Sequence, residues 1–123
     1  MTEPETTARD TLRSDILAMG RDGFVSMADV QGQVSRGRLA DSVADRQRLI
    51  VETVRSLLED EFVEVGVAPN PRDPEFKRWP GSVDEVMTRF IEHFVTHYED
   101  RMGWEYAIWF NLTPSGEQAA VDC

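Results

Sequence analysis

The sequence predicts one α+β domain: three N-terminal helices, then an antiparallel β-hairpin whose connection is enlarged by a loop and a fourth helix. Three features carry that expectation. Apolar residues recur at helical spacing through the first half of the chain, and a valine-rich run at Phe62–Val67 breaks that spacing. An aromatic run at Trp104–Leu112 then alternates with the period of a strand.

The first helix is expected from Arg9 to Met19, with Leu12, Ile16 and Met19 on one face and Gly20 placed to cap its end. Ser26 opens the second, which runs to about Val34. Its hydroxyl caps the new helix, Asp29 reaches back to complete a capping box, and Val25 and Val30 stand at staple positions. Ser35–Leu39, containing Gly37, reads as a turn. Asp41 or Ser42 caps a longer third helix with the core stripe Leu49, Ile50, Val54, Leu57 and Leu58, ending near Asp60. Phe62–Val67 follows as a strand.

Pro69, Pro71, Pro74 and Pro80 exclude long regular structure between Ala68 and Gly81. Ser82 and Glu85 form a second capping box, opening a fourth helix to about Tyr98 along Val83, Val86, Phe90 and Phe94. Trp104–Leu112 supplies the antiparallel partner of Phe62–Val67, and Thr113 and Pro114 open a short last helix. Residues 1–8 are then a flexible N-terminus, residues 9–120 the domain with an insertion at 68–104, and residues 121–123 a tail.

The 123 residues suit one core, and 41% hydrophobic content with recurring apolar segments separates the chain from disordered sequences. No segment approaches the roughly 18 apolar residues of a membrane span, and the expectation is a cytoplasmic protein with no membrane partner. The one cysteine, Cys123, permits no internal disulfide and no thiolate zinc cluster. Charge is the most telling global property: 23 acidic against 13 basic side chains, a formal net charge of -10. Phosphate contact requires lysine and arginine to displace counterions, so this balance disfavours nucleic acid and favours a basic protein.

The segment Leu57-Leu58-Glu59-Asp60-Glu61-Phe62-Val63-Glu64-Val65, with the later Trp109-Phe110-Asn111-Leu112-Thr113-Pro114-Ser115-Gly116-Glu117, resembles the close of bacterial winged-helix domains. The resemblance spans about residues 9–120. More narrowly, Gly23–Val30 together with that close resembles a group of small actinobacterial proteins. Some proteins of similar shape serve as immunity proteins against polymorphic or contact-dependent growth-inhibition toxins. That resemblance implies a cytoplasmic, non-catalytic inhibitor. A DNA-binding winged helix would need a basic third helix, but here Arg46, Arg48 and Arg55 stand among Asp41, Asp45, Glu52, Glu59 and Asp60.

Nothing in the sequence marks a catalytic centre. His93 and His97 have a spacing that can place two imidazoles on one metal, but the intervening residues lack a metalloprotease glutamate. There is no nucleophile elbow and no glycine-rich phosphate loop. The expectation is a protein that is not an enzyme, with no cofactor, no metal and no catalytic residue. Its candidate partner-binding residues are Glu59, Asp60, Glu61 and Glu64 at the end of the third helix. To these are added Trp79 in the proline-rich loop, and Asp84, Glu85, Glu92, Glu99, Asp100 and Glu105 in and after the insertion. The expected partner is a basic protein, a toxin domain whose active site is blocked. The alternative is a winged-helix transcriptional regulator that contacts DNA through Arg36, Arg38, Arg46 and Arg48.

Overall fold

Serine side chains fix the starts of three helices. The structure is a computed structural model describing residues 3–122. Residues 1 and 2 of the expected flexible N-terminus, and Cys123 of the expected tail, lie outside the described residues. The first helix, α1, spans Glu3–Gly20, so the stretch expected to be flexible is helical from Glu3 onward. A two-residue strand, β1 (Val25–Ser26), leads into α2 (Met27–Arg36). Helix α3 is Val43–Glu59, strand β2 is Val63–Val67 and strand β3 is Lys77–Arg78. Helix α4 (Val83–Ile91) continues into a π turn at Glu92–Thr96, and a short 3-10 turn follows at Arg101–Gly103. Strand β4 (Trp109–Leu112) and helix α5 (Pro114–Asp122) close the described chain.

Ser26, Ser42 and Ser82 each accept a hydrogen bond from the backbone N–H three residues on, and at Ser26 and Ser82 the capping box is complete. Ser26 is also 1% exposed, which leaves little water to replace its bond. Ser26→Ala is therefore expected to cost about 0.5–2 kcal/mol, read from the urea midpoint. An unchanged midpoint would show that the cap does not anchor α2.

The C-terminal ends of α2 and α3 are closed in one way. After α3, the Phe62 N–H donates to the Leu57 carbonyl and the Glu61 N–H to the Leu58 carbonyl, with Glu61 at φ 60°. After α2, Leu39 donates to Val34 and Arg38 to Ser35, with Arg38 at φ 50°. These are left-handed caps in which glutamate and arginine stand where glycine is usual. Gly37, expected in the turn, is right-handed at φ -82° and precedes the left-handed residue.

The four strands form one antiparallel sheet in the order β1-β4-β2-β3. Val63 pairs with Leu112 and Val65 with Phe110, and these four side chains are buried. The stripe of α3 holds Leu49, Ile50, Val54 and Leu57 in the core, with Thr53 also buried and Leu58 only half-buried. β3 was not expected, because it is two residues long and sits among prolines.

The expected strand at Trp104–Leu112 begins only at Trp109. Residues Trp104–Ala107 turn around the Trp104 ring instead. That ring is fully buried, meets Phe94 edge-on at 5.0 Å and stacks on Tyr98 at 5.2 Å, while its Nε1 donates to the Tyr98 carbonyl at 2.8 Å. Burying an indole with its N–H satisfied outweighs extending the ladder. The fourth helix likewise departs from its expected run to Tyr98. The His97 N–H reaches the carbonyl of Glu92, the wider π-type closure.

Candidate functional site

The end of α3, strand β2 and the start of α4 enclose a groove of about 420 Å³. Its floor is aliphatic, formed by Leu58, Val63, Val65 and Val86, and its rim carries Glu59, Glu61, Glu64 and Arg78. The groove exists because β3 leaves β2 early. Arg78 pairs with Gly66, and the Trp79 N–H donates to the Val65 carbonyl at 2.8 Å. Pro80 then offers no N–H, and Gly81, at φ 110°, turns the chain toward Ser82 and α4. Past that point β2 has α4 beside it instead of a strand.

The candidate acidic residues do not share one face. Glu59 and Glu61 are exposed at the groove, while Glu64 is half-buried and accepts from the Asn111 amide at 3.2 Å. Asp60 belongs to a different arrangement. Its carboxylate pairs with Arg13 of α1 at 2.8 Å, and the same guanidinium donates to Ser56 and lies over the Phe62 ring at 5.6 Å. Asp60 thus ties α1 to the end of α3.

Trp79 corrects an expectation. Its place in the proline-rich loop argues for an exposed side chain, but only 7% of it is exposed. The Arg89 guanidinium covers its ring at 4.3 Å and His93 approaches at 6.1 Å, so the indole forms a wall of the groove. Its sequence neighbours Arg78 and Pro80 are exposed, while the side chain between them turns inward.

Asp84 and Glu85 stand beside the groove at the start of α4. Asp84 is exposed and pairs with Arg55 at 2.8 Å. Glu85 is held below the ordinary carboxylate range, first by the Ser82 backbone N–H it accepts and then by the Ser82 hydroxyl. Its cap is therefore complete above the usual carboxylate pKa and is lost as pH falls through the lowered value.

Glu92, Glu99 and Asp100 are exposed further along, and Glu105 is half-buried. Glu105 accepts two hydrogen bonds from Arg101, at 2.6 and 3.0 Å, and this contact raises the arginine's pKa. The Ala28 N–H donates to the Glu105 carbonyl, which places that segment by β1, at the sheet edge opposite β3. The candidate residues therefore do not form one group: Glu59, Glu61 and Glu64 line the groove at the end of α3, while Glu105 lines a separate and smaller hollow with Arg101, Met102 and Tyr106.

His93 lies against Trp79, and His97 is exposed where the π turn ends. Among the described residues no three His, Cys, Asp or Glu side chains are grouped to hold a metal ion. No described helix is long and apolar enough to cross a membrane. Of the arginines proposed for DNA contact, Arg36 donates to Gln33, Arg46 to the Asp41 carbonyl and Arg48 to Asp45. Leu58, Val63, Val65 and Val86 were read from the sequence as core or strand residues and not as a site. Only the tertiary departure of β3 makes them a floor. No protein-family model matches the chain, and neither a curated protein nor a solved structure matches it.

Proposed function

We propose that the protein is a non-catalytic module that binds a basic protein, in its concrete form an immunity protein covering the cationic active site of a nucleic-acid-attacking toxin. The observation that carries this reading is the groove, where three carboxylates, Glu59, Glu61 and Glu64, meet one guanidinium, Arg78, above an aliphatic floor. A toxin that cleaves nucleic acid needs a basic cleft, and an acidic rim over an apolar floor complements such a surface in charge and in burial. The net charge of -10 adds steering at long range. The helix order, with a short β1 beside β4 and an enlarged connection between β2 and β4, supports a winged-helix-like reading of the fold.

The test begins with capture of the partner by the tagged protein and its identification by mass spectrometry. Association and dissociation rates are then measured at two salt concentrations for the protein and for a variant carrying Glu59→Lys, Glu61→Lys and Glu64→Lys. Asp60 is left intact because its pairing with Arg13 would confound binding with stability. Glu59 and Glu61 are exposed and changing them costs about 0.5 kcal/mol or less each, whereas Glu64 gives up its contact with Asn111, so the fold of the variant is checked by circular dichroism before its rates are compared. Its association is expected to slow by about tenfold or more, with a weaker salt dependence. Unchanged rates in the folded variant would overturn the reading. So would tight, steeply salt-dependent binding of the unmodified protein to nonspecific duplex DNA, which is the behaviour of a regulator.

A further inference from the structure

One wall of the groove is an unpaired stretch of the β2 edge. Along β2 the main-chain groups alternate in direction, and the alternation is fixed at one end, where the Thr113 N–H donates to the Phe62 carbonyl at 3.0 Å. Phe62, Glu64 and Gly66 therefore face β4, while Val63, Val65 and Val67 face the other side. Lys77 stands opposite Val67, and Trp79 reaches the Val65 carbonyl. Opposite Val63 the ladder would need Gly81, which has already turned toward α4. Among the described residues no hydrogen bond reaches the Val63 N–H, the Val63 carbonyl or the Val65 N–H across that edge. Val63 and Val65 are 4% and 2% exposed, so these polar groups sit in an aliphatic surround. Unpaired main-chain groups in such a place favour a strand partner.

We infer that the partner binds by adding an extended segment to β2 at Val63, with an aliphatic residue opposite Val63 and a basic residue next to it on the side of Glu61. This rests on the reading of the groove as a protein-binding site and names what enters it. A residue opposite Val63 projects to the same sheet face as Val63, where Leu58 and Val86 form the floor. On the Glu64 side Pro80 follows Trp79 along the ladder, so the free neighbour lies toward Glu61, and it projects to the other face, with Glu59 and Glu61 at the rim. The backbone supplies affinity, and the alternation of aliphatic and basic side chains supplies choice.

The probe is a short synthetic peptide alternating lysine and valine, compared with the same peptide carrying N-methylated valines, which cannot donate to the Val63 carbonyl. The unmethylated peptide should bind the full chain at low salt, with slowed amide exchange at Val63. Methylation should weaken binding by about tenfold, the scale of one or two lost hydrogen bonds. The variant carrying Glu59→Lys, Glu61→Lys and Glu64→Lys should bind neither peptide. Equal binding of both peptides, with exchange at Val63 unchanged, would overturn strand addition while leaving an acidic docking face intact. Failure of both peptides to bind at low salt would also overturn it. In either case the rates measured with the captured partner decide the broader reading separately.

Discussion

Trp104→Ala is expected to destabilise the protein by about 3–5 kcal/mol, the usual cost of removing a large aromatic from a closed core. The indole is fully buried and lies between two rings, Phe94 edge-on and Tyr98 in parallel. Tyr98 in turn accepts from Gln31 of α2, so the stack joins the π turn to the second helix. Truncation would leave a cavity and free the Tyr98 carbonyl that Nε1 now engages. Trp104→Phe should recover part of the loss, since it restores the ring and not the donor. Urea denaturation followed by far-ultraviolet circular dichroism measures both variants. A loss below about 1 kcal/mol for the alanine variant would show that the segment around Arg101–Ala107 repacks freely.

Gly66→Val should cost about 3 kcal/mol, at the upper end of ordinary overpacking, because the obstacle is backbone. A side chain at Gly66 would collide with the Lys77 carbonyl oxygen and sit 2.7 Å from the Arg78 Cα. The strands cannot move apart without giving up the pairing of Gly66 with Arg78 and Val67 with Lys77. Hydrogen exchange gives the more specific readout: the Trp79 amide, bonded to Val65, should lose protection before the β2–β4 ladder does. Equal loss across both ladders would mean that β3 and the sheet open as one unit.

The helix starts were legible because a cap is a local arrangement, with Ser26 and Asp29, or Ser82 and Glu85, three residues apart in sequence and in contact in space. The helix ends were harder. Arg38 and Glu61 adopt left-handed conformations that sequence reading assigns to glycine, and only the tertiary seats of Leu39 and Phe62 hold them there. The aromatic run from Trp104 shows the limit of composition, since the same residues that favour strands also fill cores, and Trp104 does the latter. For the candidate site, Glu59, Glu61 and Glu64 could be named from their cluster of charge. Their separation from Asp60 and from Glu105 could not, because it depends on Arg13 and on Ala28, residues remote in the chain. The aliphatic floor had no sequence signal of its own.

The strand order also governs how the protein assembles. β4 lies between β1 and β2, so Val25 finds its partner in Phe110 and Val63 finds its partner in Leu112. Only the β2–β3 hairpin can pair over a short stretch of chain. The helices α1 to α3 can gather early, yet β1 remains unpaired until the residues of β4 have been synthesised. Closing such distant pairs costs chain entropy before they repay it, so this largely helical protein should fold at the pace of its small sheet.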